Sequence, residues 1–198
     1  MKQRKGCFAA VLLLLMVNAI AAAAPSEALV DLLSHYKTFQ ARFSQRTYSV
    51  QNKLIAKSQG RCLIQRPHFF RWETRSPNNQ VVIGDGQFIW VYDVDLMQAT
   101  QRAVSPSKWS PAQLLMGNSQ SLRQHFTVKQ EQHQKQLIFI LSQKNKQTFK
   151  RVEFVFKKKK LRQLLVTNAL NQLAVFKFSS ARYNKKIPQS KFRFVAPS

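Results

Sequence analysis

The chain has 198 residues, with 32 Lys and Arg against 8 Asp and Glu and a net charge of +24. That length suits one domain of about 100–200 residues, and an apolar share of 44%, including 15 Phe, is enough to bury a core and exclude wholesale disorder. Five Gly and seven Pro exclude collagen-like sequence, two Cys exclude a disulfide framework or a zinc site, and the positive surplus draws the protein toward polyanions without specifying which.

Lys2, Arg4 and Lys5 open the chain with positive charge, Cys7 to Val17 is apolar, and Ala19 to Ala24 supplies small residues. This is the pattern of a cleaved export signal, expected over 1–23. The apolar run is short of the ~20 residues that a membrane-spanning helix needs. Cleavage leaves a mature domain over 24–198 with a charge of +21 and Cys62 as its thiol, a small buried hydrophobe by expectation. A soluble protein outside the cytoplasm is expected, which removes nucleic acid as a natural partner.

The mature chain reads as one helix followed mainly by strands. Ser26 can cap a helix whose Leu29, Leu32, Leu33 and Tyr36 fall on one face. From Phe39 the period changes to two, with Phe39, Ala41, Phe43 and Gln45 on one side and Gln40, Arg42, Ser44 and Arg46 on the other. Further strands are expected at 57–66, 69–74, 80–84, 88–93 and 97–103, with Asp85-Gly86 as a hairpin turn. A second group is expected at 127–130, 137–142, 149–156, 161–168, 173–182 and 192–195. Between the groups, Ser110, Pro111 and Gly117 bracket a short helix through Leu114, Leu115 and Met116. Short joints imply an antiparallel meander, and so many strands must curl or close. No repeat, linker or second domain is legible.

Chemistry-bearing patterns are sparse. His35, His68, His125 and His133 are scattered, and no nucleophile elbow, phosphate loop or H-E-x-x-H is present. Asp93 and Asp95 read as a solvated turn. No enzyme and no cofactor are expected. Lys157 to Lys160 reads as a hairpin tip between two strands, either solvated or in contact with anionic headgroups. Lys144-Asn145-Lys146 and Lys185-Lys186 read as further basic loops.

Five segments, in order, carry a resemblance. Gln65-Arg66-Pro67-His68-Phe69-Phe70-Arg71-Trp72 resembles the R-P-x-x-F-x-W segment of the LolA family of periplasmic outer-membrane lipoprotein carriers. Ile83 to Tyr92 resembles that family's I-x-D-G-x-x-x-W-x-Y hairpin, and Gln98-Ala99-Thr100 its next strand. Phe39 to Gln45 is similar to its F-x-A-x-F-x-Q strand, and Ser190 to Phe194 to its S-x-F-x-F closing strand. Many family members continue past that last segment, so functions of such a tail are not expected of a chain ending at Ser198.

The resemblance implies a mainly β fold, an incomplete antiparallel β-barrel whose open side is covered by a short helical lid. It implies a periplasmic chaperone that accepts acylated lipoproteins from an inner-membrane ABC-type release complex and hands them to an outer-membrane lipoprotein receptor. A monomer is expected. In the family, the Arg of R-P holds the lid by hydrogen bonds to lid backbone, and Arg66 stands there. Phe70, Trp72, Trp90, Leu114, Leu115 and Met116 are the expected acyl-chain contacts, with Phe43 and Ile89 as weaker candidates. A sensing module on the same fold and a polyanion binder acting through charge alone are the other classes weighed; salt separates the latter, since ionic affinity collapses with it.

Overall fold

A computed structural model describes residues 23–104, 110–117, 119–145 and 149–196. All but the last residue of the expected signal segment, and Lys146, lie outside the described residues.

Helix α1 (Pro25–Ser34) precedes six strands, β1 (Thr38–Tyr48), β2 (Leu54–Gln65), β3 (Phe69–Ser76), β4 (Gln80–Asp85), β5 (Phe88–Asp93) and β6 (Gln98–Ala103). Helices α2 (Pro111–Met116) and α3 (Ser119–His125) follow. Five more strands complete the chain, β7 (Phe126–His133), β8 (Gln136–Gln143), β9 (Phe149–Lys157), β10 (Lys160–Asn168) and β11 (Leu173–Tyr183), before a single 3-10 turn over Gln189–Phe192. The strands form one 11-stranded sheet ordered β6-β5-β4-β3-β2-β1-β11-β10-β9-β8-β7. Each neighbouring pair is antiparallel, as short hairpin joints require.

The sheet is open, with β6 and β7 as its edges. The chain must therefore travel from one edge to the other between β6 and β7, and α2 and α3 lie on that crossing. The lid is a consequence of the topology. Curvature has local causes. Gln40 pairs with Arg182 but Arg42 with Ser179, so Ala41 faces two residues, and Ser180 takes a φ of 50° at this bulge. At Gly60 a Cβ would lie 1.8 Å from the Glu73 carbonyl oxygen, so only glycine lets β2 approach β3 this closely.

The concave face carries the core. Register aligns Phe39, Ile64 and Phe70 across three strands, and Ala41, Cys62, Trp72 and Val82 across four. Gly84 continues the first row, and its missing side chain leaves the space that the Phe70 ring fills. Leu29, Leu32 and Leu33 of α1, Leu114 and Leu115 of α2 and Leu122 of α3 join the same cluster from above.

Three local expectations are corrected. Ser26 does not cap α1; Pro25 occupies the first turn and Ala24 is the cap residue, because proline's fixed φ starts the helix one residue early. Tyr36 lies beyond the helix. The expected strand at 192–195 is absent, since both sides of β11 are already paired, with β1 and β10. That segment instead crosses the convex face, burying Phe192 beside Phe69 and stacking Phe194 on Trp90. The helix bracketed by Ser110, Pro111 and Gly117 forms as expected, with a capping box between Ser110 and Gln113 and Gly117 left-handed at φ 67°.

Candidate functional site

The site is the interface between the concave sheet and α2. Alternation along β3 puts Phe70 and Trp72 on the concave face, both buried. Phe43 stacks on Trp72 at 4.4 Å between ring centroids, and Phe176 meets Trp72 edge-on at 5.5 Å. Leu114 and Leu115 face this wall from α2, fully buried, with Met116 packed partly buried beside them. Phe70, Trp72, Val82 and Phe176 on the sheet and Pro111 and Ala112 on α2 line a half-open cavity of about 290 Å³. Gln45, Thr74, Gln80 and Ser110 complete its lining. Larger depressions near the sheet's opposite face are lined mainly by polar and basic side chains, among them Arg42, Arg61 and Arg75.

Arg66 closes the other end of α2. Its Nη2 donates to the Leu115 carbonyl at 2.6 Å, its Nε to the Met116 carbonyl at 3.1 Å, and its Nη1 to the Tyr36 carbonyl. The first two carbonyls are among those a helix leaves unsatisfied at its C-terminus, and the third belongs to the segment leaving α1. One guanidinium therefore ties α2 and the segment leaving α1 to the β2–β3 turn. Among the described residues no carboxylate pairs with it. Burial without a counter-charge lowers its pKa to about 10. The planar fork reaches three carbonyls at once, which a lysine ammonium on a flexible stem cannot do in the same geometry.

The structure brings Arg66, Phe70, Trp72, Leu114, Leu115 and Met116 together and leaves Trp90 out. Trp90 is the β-neighbour of Ile83 on the convex face, where its Nε1 donates to Asp85 Oδ2 at 3.0 Å and its ring lies against Phe194 at 4.9 Å. Its neighbour Ile89 faces the core, fully buried, with Val91 packed partly buried on the same face. Tyr36, Val82 and Phe176 were missed by sequence reasoning. Tyr36 acts here through its main chain, which leaves no side-chain signal; Phe176 sits in an alternating strand whose two faces look alike in sequence.

An open antiparallel half-barrel with an apolar concave face, bridged by short helices held at an arginine, defines a class of lidded, β-sheet binding protein. The family model described as "Outer membrane lipoprotein carrier protein LolA" matches residues 34–195. A protein named outer-membrane lipoprotein carrier protein from Coxiella burnetii is 38% identical over 169 residues, covering 84% of this chain and 80% of that one. One of the same name from Legionella pneumophila is 32% identical over 189 residues, covering 94% and 93%. Among solved structures, an uncharacterized conserved protein from Thermus thermophilus aligns with a TM-score of 0.56 at 10% identity, over 86% of this chain and 94% of that one. A LolA superfamily protein from Nitrosomonas europaea aligns at 0.51 and 11%, over 87% and 99%. The chain belongs to the LolA family of outer-membrane lipoprotein carrier proteins.

Proposed function

We propose that this protein is a periplasmic chaperone that carries acylated lipoproteins, exported by the signal at 1–23 and working as a monomeric domain over 24–198. It takes its cargo from an inner-membrane ABC-type release complex and gives it to an outer-membrane receptor. It acts by binding and catalyses no reaction. The observation that carries this reading is the guanidinium of Arg66, which fastens α2 and the segment leaving α1 beside an apolar, aromatic-lined concave face. Phe70, Trp72, Leu114, Leu115 and Met116 are the acyl-chain contacts.

Magnitudes support a lid that moves. A buried CH₂ gains about 0.8 kcal/mol, so one long chain approaches ~10 kcal/mol when fully covered. Three such chains would exceed the practical ceiling of roughly −20 kcal/mol for non-covalent binding. A carrier that releases its cargo must cover the chains imperfectly or spend binding energy on opening. The 290 Å³ cavity is small even for a drug-sized ligand, whose pockets hold about 300–1,000 Å³. Loading therefore requires α2 to leave the sheet, and the Arg66 bonds set what that costs.

The test is release of a triacylated lipoprotein from spheroplasts by the purified mature protein, at low and at high salt. A soluble complex in both conditions is the expected result. No release in either, beside a working control carrier, would overturn the reading. Release at low salt alone would make charge-driven docking an essential step.

A further inference from the structure

The lysine-rich turn left unexplained by the lid has a defined place in the fold. β9 and β10 are joined by a two-residue turn in which Lys157 pairs with Lys160. The two central residues, Lys158 and Lys159, both have positive φ, 51° and 59°. Such turns favour Asn-Gly, and L-side chains are strained there. Like charges directly opposite each other add a second penalty. Folding alone gives no reason for four lysines here.

Neighbouring segments bring more. Lys37, which follows α1, and Lys185 and Lys186, which follow β11, sit at the same end of the sheet: the Lys37 amide donates to Asn184 Oδ1 at 2.8 Å, and Thr38 Oγ1 donates to the Lys185 carbonyl at 2.7 Å. All of these lysines are exposed, and among the described residues none is ion-paired.

This end is joined to the lid by a short chain of bonds. The Tyr36 hydroxyl donates to the Lys159 carbonyl at 2.7 Å, and the Tyr36 ring packs on Tyr183 at 4.2 Å. The carbonyl of Tyr36 is an acceptor of Arg66, and the carbonyl of Lys37 accepts from the Arg66 amide at 2.9 Å. The Lys159 turn, Tyr36, Arg66 and the last carbonyls of α2 are thus contiguous.

We propose that the lysine cluster at 37, 157–160 and 185–186 is a docking platform for an acidic protein surface, and that docking there loosens α2 through Tyr36 and Arg66. Neutralising the lysines removes the repulsion and reshapes the Lys158–Lys159 turn, which withdraws the acceptor of the Tyr36 hydroxyl. Tyr36 then shifts, and its carbonyl ceases to hold the guanidinium. An acidic protein fits better than a bilayer, because the platform carries no apolar anchor. The exposed large hydrophobics Val50, Leu54, Leu96, Met97 and Leu170 are on or beside the hairpin turns at the opposite end of the sheet, and Val104 lies at its far β6 edge.

The inference rests on the carrier reading for its purpose, but its test contains no lipoprotein, so either can fail alone. The mature protein is titrated with an oligo-glutamate peptide, and separately with phosphatidylglycerol vesicles, while amide hydrogen exchange is followed in α2. Peptide binding that weakens with salt, with exchange at Leu114 to Gly117 raised about tenfold, is expected, within the usual range of coupling between two sites. Lys158→Asn/Lys159→Gly, which suits the turn, should weaken peptide binding. Tyr36→Phe, which keeps the ring on Tyr183, should bind the peptide normally yet lose the α2 response. Absence of peptide binding, or an unchanged α2, would overturn the proposal. So would binding confined to the vesicles, which would make this end a membrane contact, or a full α2 response in Tyr36→Phe.

Discussion

Arg66 is a cation set among main-chain carbonyls, a fastener with no opposing charge among the described residues. Each carbonyl it satisfies belongs to backbone that would otherwise be unpaired at the edge of an apolar face. The face beneath is equally selective. Leu115 is buried against that core from α2. Leu115→Glu would bring a carboxylate into apolar surroundings, and lipoprotein loading is expected to fall sharply while the strands persist by circular dichroism; undiminished loading would remove Leu115 from the acyl-chain contacts. Cys62 offers a pH handle on the same core. Burial pushes its thiol up to about 12 from an ordinary value near 9. The folded state therefore keeps a proton that the unfolded chain releases, and this contribution, complete below about pH 9, is lost as pH rises through 12. Between those values the wild type should lose up to about 1.4 kcal/mol per pH unit more than Cys62→Ala, read from urea unfolding. Tyr183, raised to about 12 mainly by burial, works in the same sense and carries a small contribution from Cys62 itself, while Arg66, lowered to about 10, works against it and is common to the two proteins. Parallel slopes would show that Cys62 is wetter than its packing indicates.

At the scale of elements, the lid is the least self-sufficient part of the fold. Six residues cannot hold a helix by propensity, so α2 depends on its Ser110 capping box, its Leu114 and Leu115 contacts and the Arg66 bonds. Elements with few supports open first, which suits a cover. Much of this was legible in sequence: the period-two alternation of β1, the Ser110-Pro111…Gly117 bracket, and the Asp85-Gly86 turn, where Asp85 Oδ1 accepts from the Gln87 and Phe88 amides. Arg66 was legible through motif resemblance, because hydrogen bonds to main chain leave no partner to find in sequence. Facing was not. Trp90 and Ile89 alternate on one strand, and a convex face roofed by Phe192 and Phe194 looks as apolar in sequence as a concave one. The β9–β10 turn was legible as a turn but not as a strained one. Relieving it by Lys158→Asn/Lys159→Gly should raise stability by about 1–2 kcal/mol, measured as a higher urea midpoint at unchanged m. A fall in midpoint would mean that the lysines support the fold after all.

For the molecule as a whole, sheet order decides the mechanism open to it. Because the first and last strands pair in the middle, the two free edges lie far apart in the sheet, and the chain between them must span the concave face. Cover and cavity arise together. In the proposed mechanism, an empty carrier closes by satisfying three carbonyls with Arg66 and burying leucines on aromatics, and a loaded one would exchange those contacts for acyl chains. Removing the fastener lowers the cost of opening by about 1–3 kcal/mol, and affinity for cargo should rise by the corresponding factor of roughly 5–150. Hand-over then becomes the difficult step. The most direct measurement compares wild type and Arg66→Leu, each loaded with the same triacylated lipoprotein, in transfer to receptor-bearing outer-membrane vesicles. Full loading of both, with transfer largely lost in Arg66→Leu, is the expected result. Transfer by Arg66→Leu at the wild-type rate would contradict the latch and with it the mechanism.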